Sequence, residues 1–121
     1  PLSSMTPTIV FDNDEPFLAI GSPGGSRIIT AVLQIILNVI DFEQSLEEAT
    51  DSKRVHHQWY PDDIDIEETY NQINELMDLG YKIDIIDTAT CTQSIMIDDG
   101  DFIGVSDLRR PDSLALGVKN D

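Results

Sequence analysis

The seven residues Gly21-Ser22-Pro23-Gly24-Gly25-Ser26-Arg27 join an alternating apolar run to a long apolar stretch. A helix leaves its first N–H groups without internal partners, and its dipole puts partial positive charge at the same end. A junction of this kind therefore aims bare backbone donors at whatever lies in front of it. Two adjacent glycines carry no Cβ, so an oxygen can approach those donors closely. The segment predicts strand, tight turn and helix in that order, with a turn suited to an anion or a developing oxyanion. A plain strand-to-helix turn has the same signature, and the motif alone leaves both readings open.

The flanking elements follow from periodicity and turn chemistry. Runs from Thr8 to Phe11 and from Pro16 to Ile20 surround Asp12-Asn13-Asp14-Glu15, which predicts a hairpin. Ser26 is placed to cap a helix over residues 27–42, apolar around nearly its whole circumference and therefore expected to lie between layers. Ser45 and Glu48 have capping-box spacing, so a short helix is expected over 46–52. The alternation Asp63-Ile64-Asp65-Ile66-Glu67 predicts a strand with one buried face. Asp62, Asp63, Asp65 and Glu67 read as its solvated side, because a calcium loop of the EF-hand type needs glycine at its sixth position.

A third helix with Tyr70, Ile73, Leu76 and Met77 on one face is expected to stop at Gly80. A strand then covers 81–86, and Gln93–Ile97 with Phe102–Val105 make a second hairpin about Asp98-Asp99-Gly100-Asp101. The tail from Leu108 lacks periodicity and reads as a surface loop. The result is an α+β arrangement with mostly antiparallel strands and packed helices. At 121 residues, without repeats or long linkers, it is one domain or a piece of a larger one.

Charge and composition narrow the function. Twenty-three acids against seven bases give a net charge of -16, which repels nucleic acid phosphates and anionic lipid headgroups. The acid surplus reads as solubility or adaptation to salt. The apolar run from Ile28 to Ile40 is too short for a bilayer, which needs about 20 residues. The N-terminal residues show no targeting peptide. Cys91 is the only cysteine, so an internal disulfide and a cysteine-based zinc site are excluded. Its neighbours Thr90 and Thr92 supply no base, and it is expected to be buried and inert. His56 and His57, adjacent on an extended segment, point opposite ways and do not suit a shared metal.

The glycine junction lacks the lysine of a phosphate-binding loop, and it matches neither Gly-x-Gly-x-x-Gly nor Gly-x-Ser-x-Gly. Donors without a nucleophile remain, the pattern of an oxyanion hole.

Three ordered stretches, Pro1-Leu2-Ser3-Ser4-Met5-x-Pro7-Thr8-Ile9, Gly21-Ser22-Pro23-Gly24-Gly25-Ser26-Arg27-Ile28-Ile29 and His56-His57-Gln58-Trp59-x-Pro61-Asp62, resemble the gamma-glutamyltransferase (gamma-glutamyltranspeptidase) family. The likeness continues through Thr92-Gln93-Ser94-Ile95 and Gly104-x-Ser106-Asp107-x-Arg109. It implies the N-terminal-nucleophile hydrolase architecture, an αββα sandwich, with residues 1–121 as a single partial domain, the C-terminal portion of the small catalytic subunit.

The resemblance also implies an acyl transfer. The γ-glutamyl amide of glutathione or a related compound is cleaved by a threonine nucleophile, and the acyl group passes to water or an amino acid or peptide, without cofactor or metal. Pro1 has neither hydroxyl nor thiol, so that threonine is expected upstream and the isolated chain is expected to be inactive. The family's paired serines, which hold the α-carboxylate end of the glutamyl group, map onto Ser3 and Ser4. Its oxyanion glycines map onto Gly24 and Gly25. Arg27 is expected to pair with an acid rather than to add field.

The expected partners are the large subunit and the remainder of the small subunit of one precursor, with no nucleic acid and no membrane contact from this segment. The family further implies an extracytoplasmic location. An inactive binding or scaffold module, or a relative acting on poly-γ-glutamate, are the alternative readings.

Overall fold

In the computed structural model, which describes residues 5–118, the runs around Asp12-Asn13-Asp14-Glu15 form strands β1 (Thr8–Asp12) and β2 (Glu15–Gly21). Asn13 and Asp14 sit at φ of 45° and 70°, the paired positive angles of a primed hairpin turn, which these two side chains tolerate better than most. After the glycine junction come helices α1 (Arg27–Ile40) and α2 (Leu46–Asp51), then β3 (Val55–His56) and β4 (Ile64–Glu67). Helix α3 (Ile73–Asp78) leads to β5 (Ile83–Ile86), and β6 (Gln93–Asp98) and β7 (Asp101–Ser106) form the second hairpin. Its turn residues Asp99 and Gly100 are likewise at positive φ, 48° and 87°.

Strands β1, β2, β6 and β7 lie side by side in that order as an antiparallel sheet. A smaller sheet sets β3 antiparallel to β4, and β4 parallel to β5 across the α3 connection. Leu18 and Ile20, two apart on β2, face the same way and meet Ile28, Val32, Ile35 and Val39 of α1 with Leu46 and Ala49 of α2. Each of the leucine, isoleucine and valine side chains contributes about 1.5–3 kcal/mol of burial free energy. This core fixes α1 against β2, and so fixes both ends of the loop between them.

Several local expectations are corrected. Helix α1 ends at Ile40 rather than at 42, with Asp41 as its C-terminal cap. Ser26 does not cap it: the residue already has helical angles and its side chain makes no capping bond, because the chain turns earlier, at the two glycines. By contrast, Ser45 and Glu48 form the full reciprocal capping box at the start of α2. Only one stripe of α1 is covered among the described residues, and Ile29 and Leu33 remain 63% and 51% exposed on the opposite side. The face of the large sheet away from the helices is also open. There Ile9, Ala19, Ile95 and Gly104 stand in register across the four strands, and Ile9 and Ile95 are exposed.

Candidate active site at the glycine junction

The loop after β2 owes its shape to two residues without side chains. Gly24 takes φ of 128° and Gly25 takes 63°, both in the left-handed half of the map that other residues avoid. A Cβ on Gly24 would lie against Thr90, 2.8 Å from its Cβ and closer still to its hydroxyl. Gly25 faces open space, with nothing within 4 Å of such a Cβ. The Gly25 carbonyl accepts the Ile28 N–H at 3.3 Å and so starts the helix. Neither the Gly24 N–H nor the Gly25 N–H donates to an acceptor among the described residues. The junction therefore holds two backbone donors free at the head of a 14-residue helix, where the dipole adds to their attraction for negative charge.

The loop is pinned from behind. Ser22 Oγ lies 2.7 Å from the carbonyl of Cys91 and 2.7 Å from that of Pro23. It is also 2.9 Å from Thr90 Oγ1. The Thr90 hydroxyl in turn donates to the Pro23 carbonyl. With its proton committed to carbonyl oxygens, Ser22 is a structural staple and not a nucleophile. Ser3 and Ser4 lie outside the described residues.

Behind Thr90 sits a buried network of two guanidiniums and two carboxylates. Arg54 donates from Nη1 to the Thr90 carbonyl at 2.6 Å, and from Nη2 to the Thr50 carbonyl at 2.9 Å and to Asp107 Oδ2 at 2.8 Å. Arg109 forks onto Glu67 with contacts of 2.8 and 2.6 Å and reaches Asp107 Oδ1 at 3.2 Å. Glu67 also accepts the N–H groups of Arg54 and Ala89, and Asp107 those of Thr92 and Arg109.

Burial alone would raise both carboxyl pKa values. The guanidiniums and backbone donors outweigh it, holding Glu67 and Asp107 below the usual carboxylate range. Burial, then repulsion from Arg109, pulls Arg54 down, while Glu67 and Asp107 outweigh burial at Arg109 and raise it.

Two expectations fall here. Glu67 is not on a solvated strand face: it is buried, because Arg109 covers the side of β4 that alternation assigns to water. Nor is the segment after Asp107 wholly a surface loop, since the Arg109 side chain turns inward, although Leu108, Leu114 and Leu116 are exposed as expected. Sequence reasoning gave Thr90, Arg54, Glu67, Asp107 and Arg109 no role at the site. The one signal was Gly104-x-Ser106-Asp107-x-Arg109 within the resemblance, an acid and an arginine two apart where periodicity fails.

The other candidates are placed as follows. Arg27 pairs with an acid, Asp65, through Nε at 2.8 Å and Nη2 at 2.5 Å. His56 is buried between Thr30 and Gln58, while His57 is on the surface beside Asp62, so the two do point apart. Cys91 is half-buried rather than buried. A groove of about 1050 Å³ runs over the open sheet face, lined by Ile9, Ile95, Phe102 and Leu116, with Asp101 its one charged side chain. Its one charged side chain is a carboxylate, which repels an anionic ligand, so this groove is not the better candidate.

Residues 1–117 match the gamma-glutamyltranspeptidase family. The glutathione hydrolase proenzyme of Escherichia coli is 45% identical over 120 residues, 97% of this chain and 21% of that protein. The chain thus spans about a fifth of the length of that relative. A gamma-glutamyltranspeptidase mutant of Helicobacter pylori superposes with a TM-score of 0.85 at 43% identity, over 91% of this chain and 63% of the other. The enzyme from Pseudomonas nitroreducens, complexed with L-DON, gives 0.89 at 35% identity, over 98% and 64%. The mixed α+β fold with its antiparallel sheet is the fold of these structures.

Proposed function

The chain belongs to the gamma-glutamyltranspeptidase family, and on that premise we propose that it forms part of an enzyme that cleaves the γ-glutamyl amide of glutathione or a related compound. The observation that carries this reading is the pair of N–H groups at Gly24 and Gly25 that have no partner among the described residues. In the proposed reaction a threonine hydroxyl, supplied from outside this segment, attacks the γ-carbonyl carbon. The carbonyl oxygen becomes an oxyanion and receives both N–H groups. Collapse breaks the C–N bond, the amine leaves with a proton, and an acyl ester forms. Water or a second amine then attacks the ester, and the same donors receive charge again. Donors fixed in place stabilise this charge without reorganising, which is where such a site gains most of its rate.

Ser3 and Ser4 would hold the α-carboxylate end of the substrate, and the remainder of the same precursor would complete the cleft as large subunit and small-subunit partner. The extracytoplasmic location rests on the family alone. In the complete protein, Gly25→Val is the test. A β-branched residue is strained at φ of 63°, yet its side chain meets open space, so the change redirects the N–H without a clash. A fall in kcat on the order of 10²-fold or more is expected. Unchanged kcat removes the glycines from the site.

A further inference from the structure

We propose that Thr90 is a positioning residue for the oxyanion donors, setting the direction of the Gly24 N–H through the Pro23 carbonyl. The inference rests on the role given above to Gly24 and Gly25. A trans peptide unit is planar, with its C=O and N–H pointing opposite ways. The Pro23–Gly24 bond is such a unit, since Tyr60–Pro61 is the only cis peptide among the described residues. Whatever holds the Pro23 oxygen therefore also aims the Gly24 hydrogen. The Thr90 hydroxyl holds that oxygen, so the Gly24 N–H points away from Thr90.

Thr90 is fit for this because it is itself buried and held through its backbone. It is 7% exposed, and its own carbonyl is gripped by Arg54 at 2.6 Å. With the Thr90 proton on Pro23, the Ser22 proton goes to the Cys91 carbonyl, 2.7 Å away, and the two hydroxyls sit 2.9 Å apart. The absence of a Cβ at Gly24 is what lets Thr90 come this close, since one there would lie 2.8 Å from Thr90 Cβ. Glycine at this position thus serves the Thr90 contact as well as the backbone angle. Without the hydroxyl the peptide plane loses its anchor, and the donor must be reoriented at each turnover.

The test compares Thr90→Val, which keeps the shape and removes the hydroxyl, with Thr90→Ser, which keeps the hydroxyl and removes the methyl. Both are made in the complete protein and assayed on a chromogenic γ-glutamyl anilide, with rates normalised to the acyl-enzyme burst so that misfolded molecules do not count. Thr90→Val is expected to lower kcat roughly tenfold with KM changed less than about twofold, and Thr90→Ser to recover most of the loss. Wild-type kcat in Thr90→Val overturns the proposal, as does a Ser variant no faster than the Val variant. If Thr90→Val does not accumulate, Thr90→Ala against Thr90→Ser makes the same decision, equal kcat being the refuting result. Gly25→Val assayed alongside separates the two readings. If it loses kcat while Thr90→Val does not, Thr90 alone is refuted; if it keeps kcat, the oxyanion assignment falls and the Thr90 proposal with it.

Discussion

Replacing Asp107 with asparagine removes one charge from the network behind the loop while changing almost no volume. The Asp107 carboxylate is fully buried, and each oxygen accepts from at least two donors: Oδ2 from Arg54 Nη2 at 2.8 Å and Thr92 N at 2.9 Å, Oδ1 from Arg109 N at 3.0 Å and Nη1 at 3.2 Å. An asparagine must turn its NH₂ toward one of those pairs, setting donor against donor. The network also loses neutrality, leaving two guanidiniums against one carboxylate with Arg54 only 2% exposed. Breaking a buried pair from one side costs about 3–5 kcal/mol.

Urea unfolding of the complete protein, with hydrogen exchange of the β6 and β7 amides as the local readout, measures this cost. Exchange there is expected to quicken by about two to four orders of magnitude. The surface pair gives the control: Asp62 is 83% exposed beside His57, and Asp62→Asn is expected to cost about 0–1 kcal/mol. An Asp107→Asn cost under about 1 kcal/mol would refute the claim that the network holds this part of the fold together.

Two further outcomes follow from the charges. Glu67 and Asp107 are held below the ordinary carboxylate range when folded, so the unfolded chain takes up their protons first as pH falls. Their contribution is complete above the unfolded value of about 4 and is lost as pH drops through the folded ones. The stability gap between wild type and Asp107→Asn should therefore be level near neutrality and narrow below about pH 4; a gap that widens on acidification contradicts this. The net charge of -16 acts through self-repulsion, and the β6–β7 turn concentrates it in Asp98, Asp99 and Asp101. Hydrogen exchange of that hairpin is expected to slow between about 0.01 and 1 M NaCl, as the screening length falls from ~30 to ~3 Å; faster exchange at high salt would refute it.

What the sequence made legible is what depends on near neighbours. Both hairpins, the Ser45 capping box and the glycine turn are set within a few residues, and each is where local chemistry puts it. Ser26 failed as a cap although its type and position were right. Capping needs a residue outside the helical region, and the glycines had already turned the chain. Alternation assigned one face of β4 to solvent, but the closing residue of that strand is covered by an arginine 42 positions later. No periodicity reports such a contact. The glycine turn proposed as the oxyanion hole was visible because its chemistry is carried by the backbone at one point. The residues that hold it still were not, because Ser22 meets Thr90 across 68 positions and Arg54 meets Asp107 across 53.

The proposed oxyanion hole, on two consecutive glycines at positive φ, starts from the most flexible backbone a chain can offer, and flexibility is what such a site must not have. The network supplies the restraint. Arg54 is suited to it because one guanidinium presents five donors in a fixed plane, enough to hold the carbonyls of Thr50 and Thr90 together with the Asp107 carboxylate. A lysine, with a single nitrogen on a flexible stem, could not span them. Arg54 thereby joins the C-terminal turn of α2, the segment before β6 and the residue after β7 at one buried point. Thr90 carries that fixity across to Pro23, and the planar peptide carries it on to the Gly24 N–H. With only seven bases against 23 acids, placing two arginines in a neutral buried cluster leaves the surface acids still less compensated. The chain accepts that electrostatic cost where it fixes the elements that frame the glycine turn.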